Sequence, residues 1–144
     1  MSDPGTTAAR QRLARAQSAL LSSLVAGAPP PAGFDPGRVG AQRRALLDKR
    51  AGVAARTAPE LREILGRDFR RLFLAHAQGR PMTDGYRRDA LDFARALLST
   101  PGAVPEPDRR RRLAAWVAER TAPPPRPGLL HRLATVLRLT RAAR

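Results

Sequence analysis

Apolar residues recur at intervals of three and four along most of the chain, and breaks rich in proline and glycine divide that periodicity into segments. Leu13, Leu20 and Leu24, with Leu21 and Val25 beside them, predict a first helix from about Thr7 to Ala26. Thr6 or Thr7 is placed to cap it, and Gly27 to end it. Three consecutive prolines in 28–33 cannot enter a helix interior and read as a stiff connector. Asp35-Pro36 then restarts the helix with an acidic cap and a proline at the first position. This second helix carries Val39, Leu46 and Val53 at sevenfold spacing, with Leu47 alongside, and runs to about Arg56.

Pro59 starts a third helix with Leu61, Ile64 and Leu65 on its apolar face, and Gly66 interrupts it. Phe69, Leu72, Phe73 and His76 mark a fourth at i, i+3, i+4 and i+7, broken by Gly79-Arg80-Pro81. Thr83 or Asp84 is expected to cap a fifth, whose stripe is Tyr86, Ala90, Phe93 and Leu97, to about Ser99. The segment 101–107 reads as a linker. Asp108 to Arg120 form a short helix with Leu113, Trp116 and Val117 inward, and 122–128 are a second proline linker. Leu129 to Arg144 read as a basic amphipathic helix. No segment of five or more residues alternates strictly with β-branched enrichment, so the fold class is all-α. The expected architecture is a compact bundle of about five helices over 7–100, then a basic, proline-linked helical arm over 101–144. Leu20, Leu24, Leu46, Val53 and Leu65 are expected to share one core with Phe69, Phe73, Phe93 and Leu97.

Composition narrows the chemistry. The length of 144 residues suits one domain, and the absence of cysteine removes disulfides, thiolate catalysis and Cys-ligated zinc. His76 and His131 are the two histidines, far apart in sequence, which excludes a His-rich metal cage. The net charge is +15, with +8 in residues 1–100 and +7 in the shorter remainder, so the C-terminal part is about twice as dense in positive charge. Lys49 is the single lysine, asparagine is missing and alanine and proline abound, a profile that fits a GC-rich coding sequence. Part of the arginine excess therefore reflects coding bias, although charge favours anionic partners whatever its origin. Arg10, Arg12 and Arg15 ahead of 19–26 loosely imitate a signal peptide, but Asp3 and Pro4 precede them and polar residues interrupt the apolar stretch. A cytoplasmic location is the expectation, with no membrane span.

No Gly-x-Ser-x-Gly, His-Glu-x-x-His, phosphate-cradling loop or dinucleotide fingerprint is present, so the chain reads as non-catalytic. His76 closes an apolar helix face and reads as a packed histidine. Asp89 and Asp92 share a helix side and read as a solvated pair beside Arg87, Arg88 and Arg95. Arg43-Arg44, Arg70-Arg71, Arg87-Arg88 and the block Arg109, Arg110, Arg111 and Arg112 could neutralise phosphates or pair with carboxylates. Aromatic residues are only 4% and asparagine, an adenine reader, is missing, so a small basic nucleic-acid-binding protein is the alternative reading rather than the first.

The stretch from Leu13 to Leu98 resembles a known bacterial family. The pattern is the first amphipathic helix, then Arg38 with Arg43-Arg44, then Thr57-Ala58-Pro59-Glu60-Leu61 and Ile64-Leu65-Gly66-Arg67-Asp68-Phe69. Leu72-Phe73, Gly79-Arg80-Pro81 and Arg88-Asp89-Ala90-Leu91-Asp92-Phe93-Ala94 complete it. It is similar to the N-terminal domain, named for DNA binding, of the HvfC/BufC-type partner proteins of multinuclear non-heme iron oxidases. Those oxidases modify ribosomally made peptides. The resemblance implies a non-catalytic accessory subunit that needs no cofactor of its own, the iron being held in the partner oxidase. It also implies that the chain helps to hold the precursor peptide. Better-known members end in a part with strands, whereas this sequence ends in proline linkers and a basic helix. The partner-binding candidates are therefore read from the arm itself: Arg109 to Arg112, and Leu130, Leu133 and Leu137 flanked by Arg132 and Arg138.

Overall fold

A computed structural model describes residues 4–122, and these form six helices joined by short connectors. They are α1 (Pro4–Val25), α2 (Pro36–Thr57), α3 (Pro59–Leu65), α4 (Asp68–Ala77), α5 (Gly85–Ser99) and α6 (Pro107–Thr121). The all-α expectation agrees with this: the described residues contain no strand. α2 is the central element and packs on α1, α3, α4 and α5, while α6 closes the far side against α5 and α3.

Local chemistry sets the boundaries. The Asp35 carboxylate accepts a 2.8 Å hydrogen bond from the Gly37 N–H, and Pro36 occupies the first turn of α2. Pro59 likewise opens α3, and Gly66, with a positive φ of 57°, ends it and lets α4 begin two residues later. α1 starts at Pro4, so Thr6 and Thr7 lie inside its first turn rather than at a cap. Asp84 occupies the residue before α5 without a side-chain cap bond; Thr83 donates to its carboxylate at 3.4 Å instead.

The centre of the core is a triad of rings. Phe93 lies edge-on to Phe73 (5.1 Å between centroids) and to Phe69 (5.8 Å), and Phe69 stacks on Phe73 at 5.8 Å. Leu61, Leu65 and Leu113 are fully enclosed around them. Alanines form much of the remaining lining: Ala51 and Ala54 from α2, Ala58 at the α2–α3 junction, Ala77 from α4, Ala90 and Ala94 from α5. Small side chains let the backbones approach closely around the rings.

Several expected core positions differ. Leu46 is 43% exposed, and Leu20, Leu24 and Val53 are only half-buried. The inward face of α2 instead runs through Val39, Leu47, Ala51 and Ala54, which follows the 3.6-residue period that the sevenfold spacing of Val39, Leu46 and Val53 missed. The expected boundary at residue 100 does not separate a core from an arm among the described residues. Val104, Leu113 and Trp116 are buried in the same cluster as the phenylalanines. Arg120 stacks over the Trp116 ring at 4.1 Å and donates to Glu60 on α3 at 2.9 Å, which ties the end of α6 to the bundle.

The largest departure is Asp89. It is buried rather than solvated, 6% exposed, and takes both nitrogens of Arg50 in a forked pair at 2.7 and 2.5 Å. The remaining Arg50 nitrogen donates to the Arg80 carbonyl at 2.6 Å, so one guanidinium joins α2, α5 and the α4–α5 connector. Asp92 behaves as expected, on the surface with Arg88 at 3.0 Å and Arg95 at 3.6 Å. His76 packs against Phe93 at 5.5 Å and Phe73 at 6.4 Å. Burial there lowers its pKa below the ordinary 6.5; the cations Arg80 and Arg50 add to the effect, and Asp89 and Asp92 oppose it.

Three outcomes follow for stability. Phe73→Ala is expected to cost about 3–5 kcal/mol, and Leu46→Ala under about 0.5 kcal/mol, in urea unfolding. Asp89→Ala leaves Arg50 buried and unpaired, so a loss of about 3–5 kcal/mol is expected from the same measurement, whereas Asp92→Ala stays within about 1 kcal/mol. Because folding depresses the His76 pKa, the unfolded chain takes up a proton that the folded chain refuses. Stability is therefore full above about pH 6.5 and declines as the pH falls below it, flattening once folded His76 is protonated. Unfolding midpoints measured from pH 7.5 to 5 should show that slope in the natural protein and lose it in His76→Phe.

Candidate functional site

Three arginines of the α6 block already have partners within this chain. Arg109 contacts Asp68 on α4 at 3.3 Å and Glu106 at 3.5 Å, and Arg110 donates to the Leu98 carbonyl at the end of α5 at 2.6 Å. Arg111 pairs with Asp108 in the same helix, and Arg112 is exposed. Three of the four thus fasten or neutralise the first turn of α6, where unpaired cations would oppose the helix dipole. Asp68 is the hub of that contact. Its hydrogen bond from Arg71, assisted by Arg109, holds its carboxyl below the usual carboxylate range. Leu130, Arg132, Leu133, Leu137 and Arg138 lie outside the described residues. Among the described residues no group of three acids or histidines converges as a metal site would need.

The structure instead assembles arginines that are remote in sequence. α2 and α4 pack side by side and leave between them an open cleft of about 810 Å3. Arg43 and Arg44 stand on one wall, and Arg67, Arg70 and Arg71 on the other. Its floor is apolar, made by Leu47, Leu74 and Ala75 with Gly40 at one end. The α4 wall is a single stripe, 67, 70, 71, 74, 75 and 78, and the α2 wall another, 40, 43, 44, 47 and 48. Each follows the i, i+3, i+4, i+7 rule, so one face of each helix is committed to the cleft.

The five arginines are not equivalent. Arg43 donates to the carbonyls of Ser23 at 2.9 Å and Ala28 at 3.2 Å, which latches the end of α1 onto α2. Arg70 meets Asp48 across the cleft at 2.5 Å, but both are well exposed, so the pair is weak and easily exchanged for another carboxylate. Arg71 pairs with Asp68 at 3.0 Å. Arg44 and Arg67 are without an acidic partner among the described residues and line the opening. Five arginines, two of them unpaired among the described residues, over an apolar floor suit an anionic ligand that also carries apolar groups.

Sequence reasoning registered Arg43-Arg44 and Arg70-Arg71 as separate runs and did not join them. The joining signal was present. On α4 the arginines alternate with Leu74 and Ala75 at helical spacing on the side opposite Phe69 and Phe73, so that helix is amphipathic twice over. A second hollow of about 550 Å3 lies by Trp116 and Leu91, with Arg87, Arg88 and Arg120 around it. Two of those three arginines already hold acids, Asp92 and Glu60.

Comparison with known proteins places these elements. A UPF0276 protein of Streptomyces avermitilis is 59% identical over 117 residues, which cover 81% of this chain and 24% of that protein. The chain thus spans about a quarter of the length of the curated relative it matches. No solved structure matches the chain. Residues 14–99, which include both walls of the arginine cleft and end just before α6, match the family described as SCO6045-like, C-terminal domain. The match covers more than half of the 144 residues, and the chain belongs to that family of SCO6045-like C-terminal domains.

Proposed function

We propose that this chain is a non-catalytic accessory module that works beside a multinuclear iron-dependent oxidase and holds an acidic stretch of that enzyme's ribosomally made precursor peptide. The observation that carries the peptide-holding part is the α2–α4 cleft, with Arg44 and Arg67 unpaired at its mouth and Leu47, Leu74 and Ala75 beneath. Carboxylates of the peptide pair with the guanidinium groups, and its apolar side chains cover the floor. The oxidase enters through the resemblance to the HvfC/BufC-type partner proteins. The accessory role is supported by the Streptomyces relative, in which the matching stretch is joined to a polypeptide about three times as long. A module that recurs beside a larger body of protein fits an accessory role better than a free-standing enzyme.

The nucleic-acid reading shares the cations but fits the floor less well. A phosphate backbone has no apolar groups to place on Leu47 and Leu74, and the cleft offers no aromatic ring on which a base could stack. The two readings separate in one titration. A fluorescent twelve-residue peptide of alternating glutamate and leucine should bind the full chain, and the Arg44→Glu/Arg67→Glu double variant should bind it at least about tenfold more weakly. That is the loss expected for a charge-assisted hydrogen bond worth about 1.5–3 kcal/mol. Tighter binding of a 20-base-pair duplex than of the peptide at equal salt would favour the nucleic-acid reading instead. Co-expression with the multinuclear iron oxidase of the same genome tests the partnership, and recovery of the two proteins separately would sink it.

A further inference from the structure

α1 is built as if part of its surface were meant to be covered. It packs chiefly on α2, whereas each of α2 to α6 contacts at least two other helices. From Gly5 to Ala19 every residue but the half-buried Ala8 is exposed. Leu13 (59% exposed), Leu21 (60%) and Val25 (37%) are spaced at i, i+8 and i+12 and keep to one side of the helix. Phe34 in the following connector and Leu46 on α2 are also exposed. Five of the six large hydrophobic side chains that the described residues leave exposed therefore belong to α1, its connector and α2. Exposed apolar side chains concentrated on one helix, its connector and its one main neighbour point to an interaction surface.

Charge identifies the kind of occupant. From Pro4 to Phe34 the chain carries Arg10, Arg12 and Arg15 and no acidic residue. A second copy of this chain, at +15, would bring like charge against like. Residues 123–144, with five arginines and no acid, would do the same. We infer that the exposed face of α1 docks into an apolar groove, bordered by carboxylates, on a separate globular protein. Leu13 and Leu21 seat in the groove, and Arg10, on the same side of the helix, meets its acidic rim. The inference rests on reading the chain as one half of a partnership, and uses nothing in the arginine cleft.

A synthetic 18-residue helix with leucine along one face and glutamate elsewhere serves as the probe. It is titrated into the full chain by fluorescence anisotropy. Binding is expected, weakening as salt rises from 50 to 300 mM, and at least tenfold weaker in Leu21→Glu and in Leu13→Glu. Arg10→Glu is expected to weaken it too, and Arg67→Glu in the cleft to leave it unchanged. The counterpart helix with lysine for glutamate is expected not to bind. Both leucines are exposed, so circular dichroism should show the variants melting with the natural protein; Leu21→Gln replaces any that does not. Equal affinity in natural and Leu21→Glu chains overturns the inference. Loss of binding in Arg67→Glu alone also overturns it, placing the probe in the cleft and leaving the proposed function standing. Concentration-dependent dimerisation in sedimentation, abolished by Leu21→Glu, assigns the face to a second copy and overturns it as well.

Discussion

The fold depends on one buried charge pair. Arg50 and Asp89 are 13% and 5% exposed, and removing two charges from water costs more than their attraction alone repays unless every remaining polar group is satisfied. Here the fork is bidentate and the third guanidinium nitrogen reaches the Arg80 carbonyl, so the arginine is nearly saturated. The pair sets the register of α2 against α5 and pins the connector between α4 and α5. It also lies against the aromatic triad, with the Arg50 guanidinium carbon 6.0 Å from the centre of the Phe73 ring. An apolar pair could fill the same space but would not dictate which turn of α2 faces which turn of α5. In a core lined so heavily with alanine, where neighbouring turns look alike, that discrimination is the pair's contribution.

The same alanine lining decides how much of the fold was legible from the sequence. α4 and α5 were readable because Phe69, Phe73, Phe93 and Leu97 stand out from their surroundings at helical spacing. The Asp35-Pro36 and Pro59 starts were readable because cap and proline chemistry is local. α2 was readable as a helix but not as an oriented one. Its inward face is Val39, Leu47 and two alanines, with Arg50 among them, and a search for large apolar residues settles on Leu46 instead. Asp89 was misjudged for a related reason: three arginines lie near it in sequence, whereas the one that matters is 39 residues away. Long-range pairing leaves no local signature.

Arginine carries three different loads in this molecule, and number alone cannot tell them apart. Arg50, Arg110 and Arg120 are structural, each spanning two helices or a helix and a loop. Arg71, Arg88 and Arg111 pair with acids in their own helix and cost or contribute little. Arg44 and Arg67 fall in neither group, and they stand at the same cleft. Unpaired cations do stand elsewhere on the surface, Arg38, Arg56, Arg62 and Arg87 among them, as a coding bias toward arginine would leave them. It does not explain why the two helices that carry Arg43-Arg44 and Arg70-Arg71 are packed so that both runs border one apolar floor. The placement, more than the excess, is what supports selection for an anionic ligand.

The position of α6 bears on how such a module can act. The family match ends at residue 99, yet Val104, Leu113 and Trp116 beyond it are buried among the rings of α4 and α5. α6 covers the side of the core formed by α3 and α5, and it is fastened there by Arg109, Arg110 and Arg120. The cleft between α2 and α4 and the exposed stripe of α1 are both left uncovered by it. The helix that follows the family match therefore completes the core without occluding either surface on which a ligand or partner could dock. The two surfaces also meet through one residue. Arg43 lines the cleft and at the same time holds the carbonyls of Ser23 and Ala28 at the end of α1.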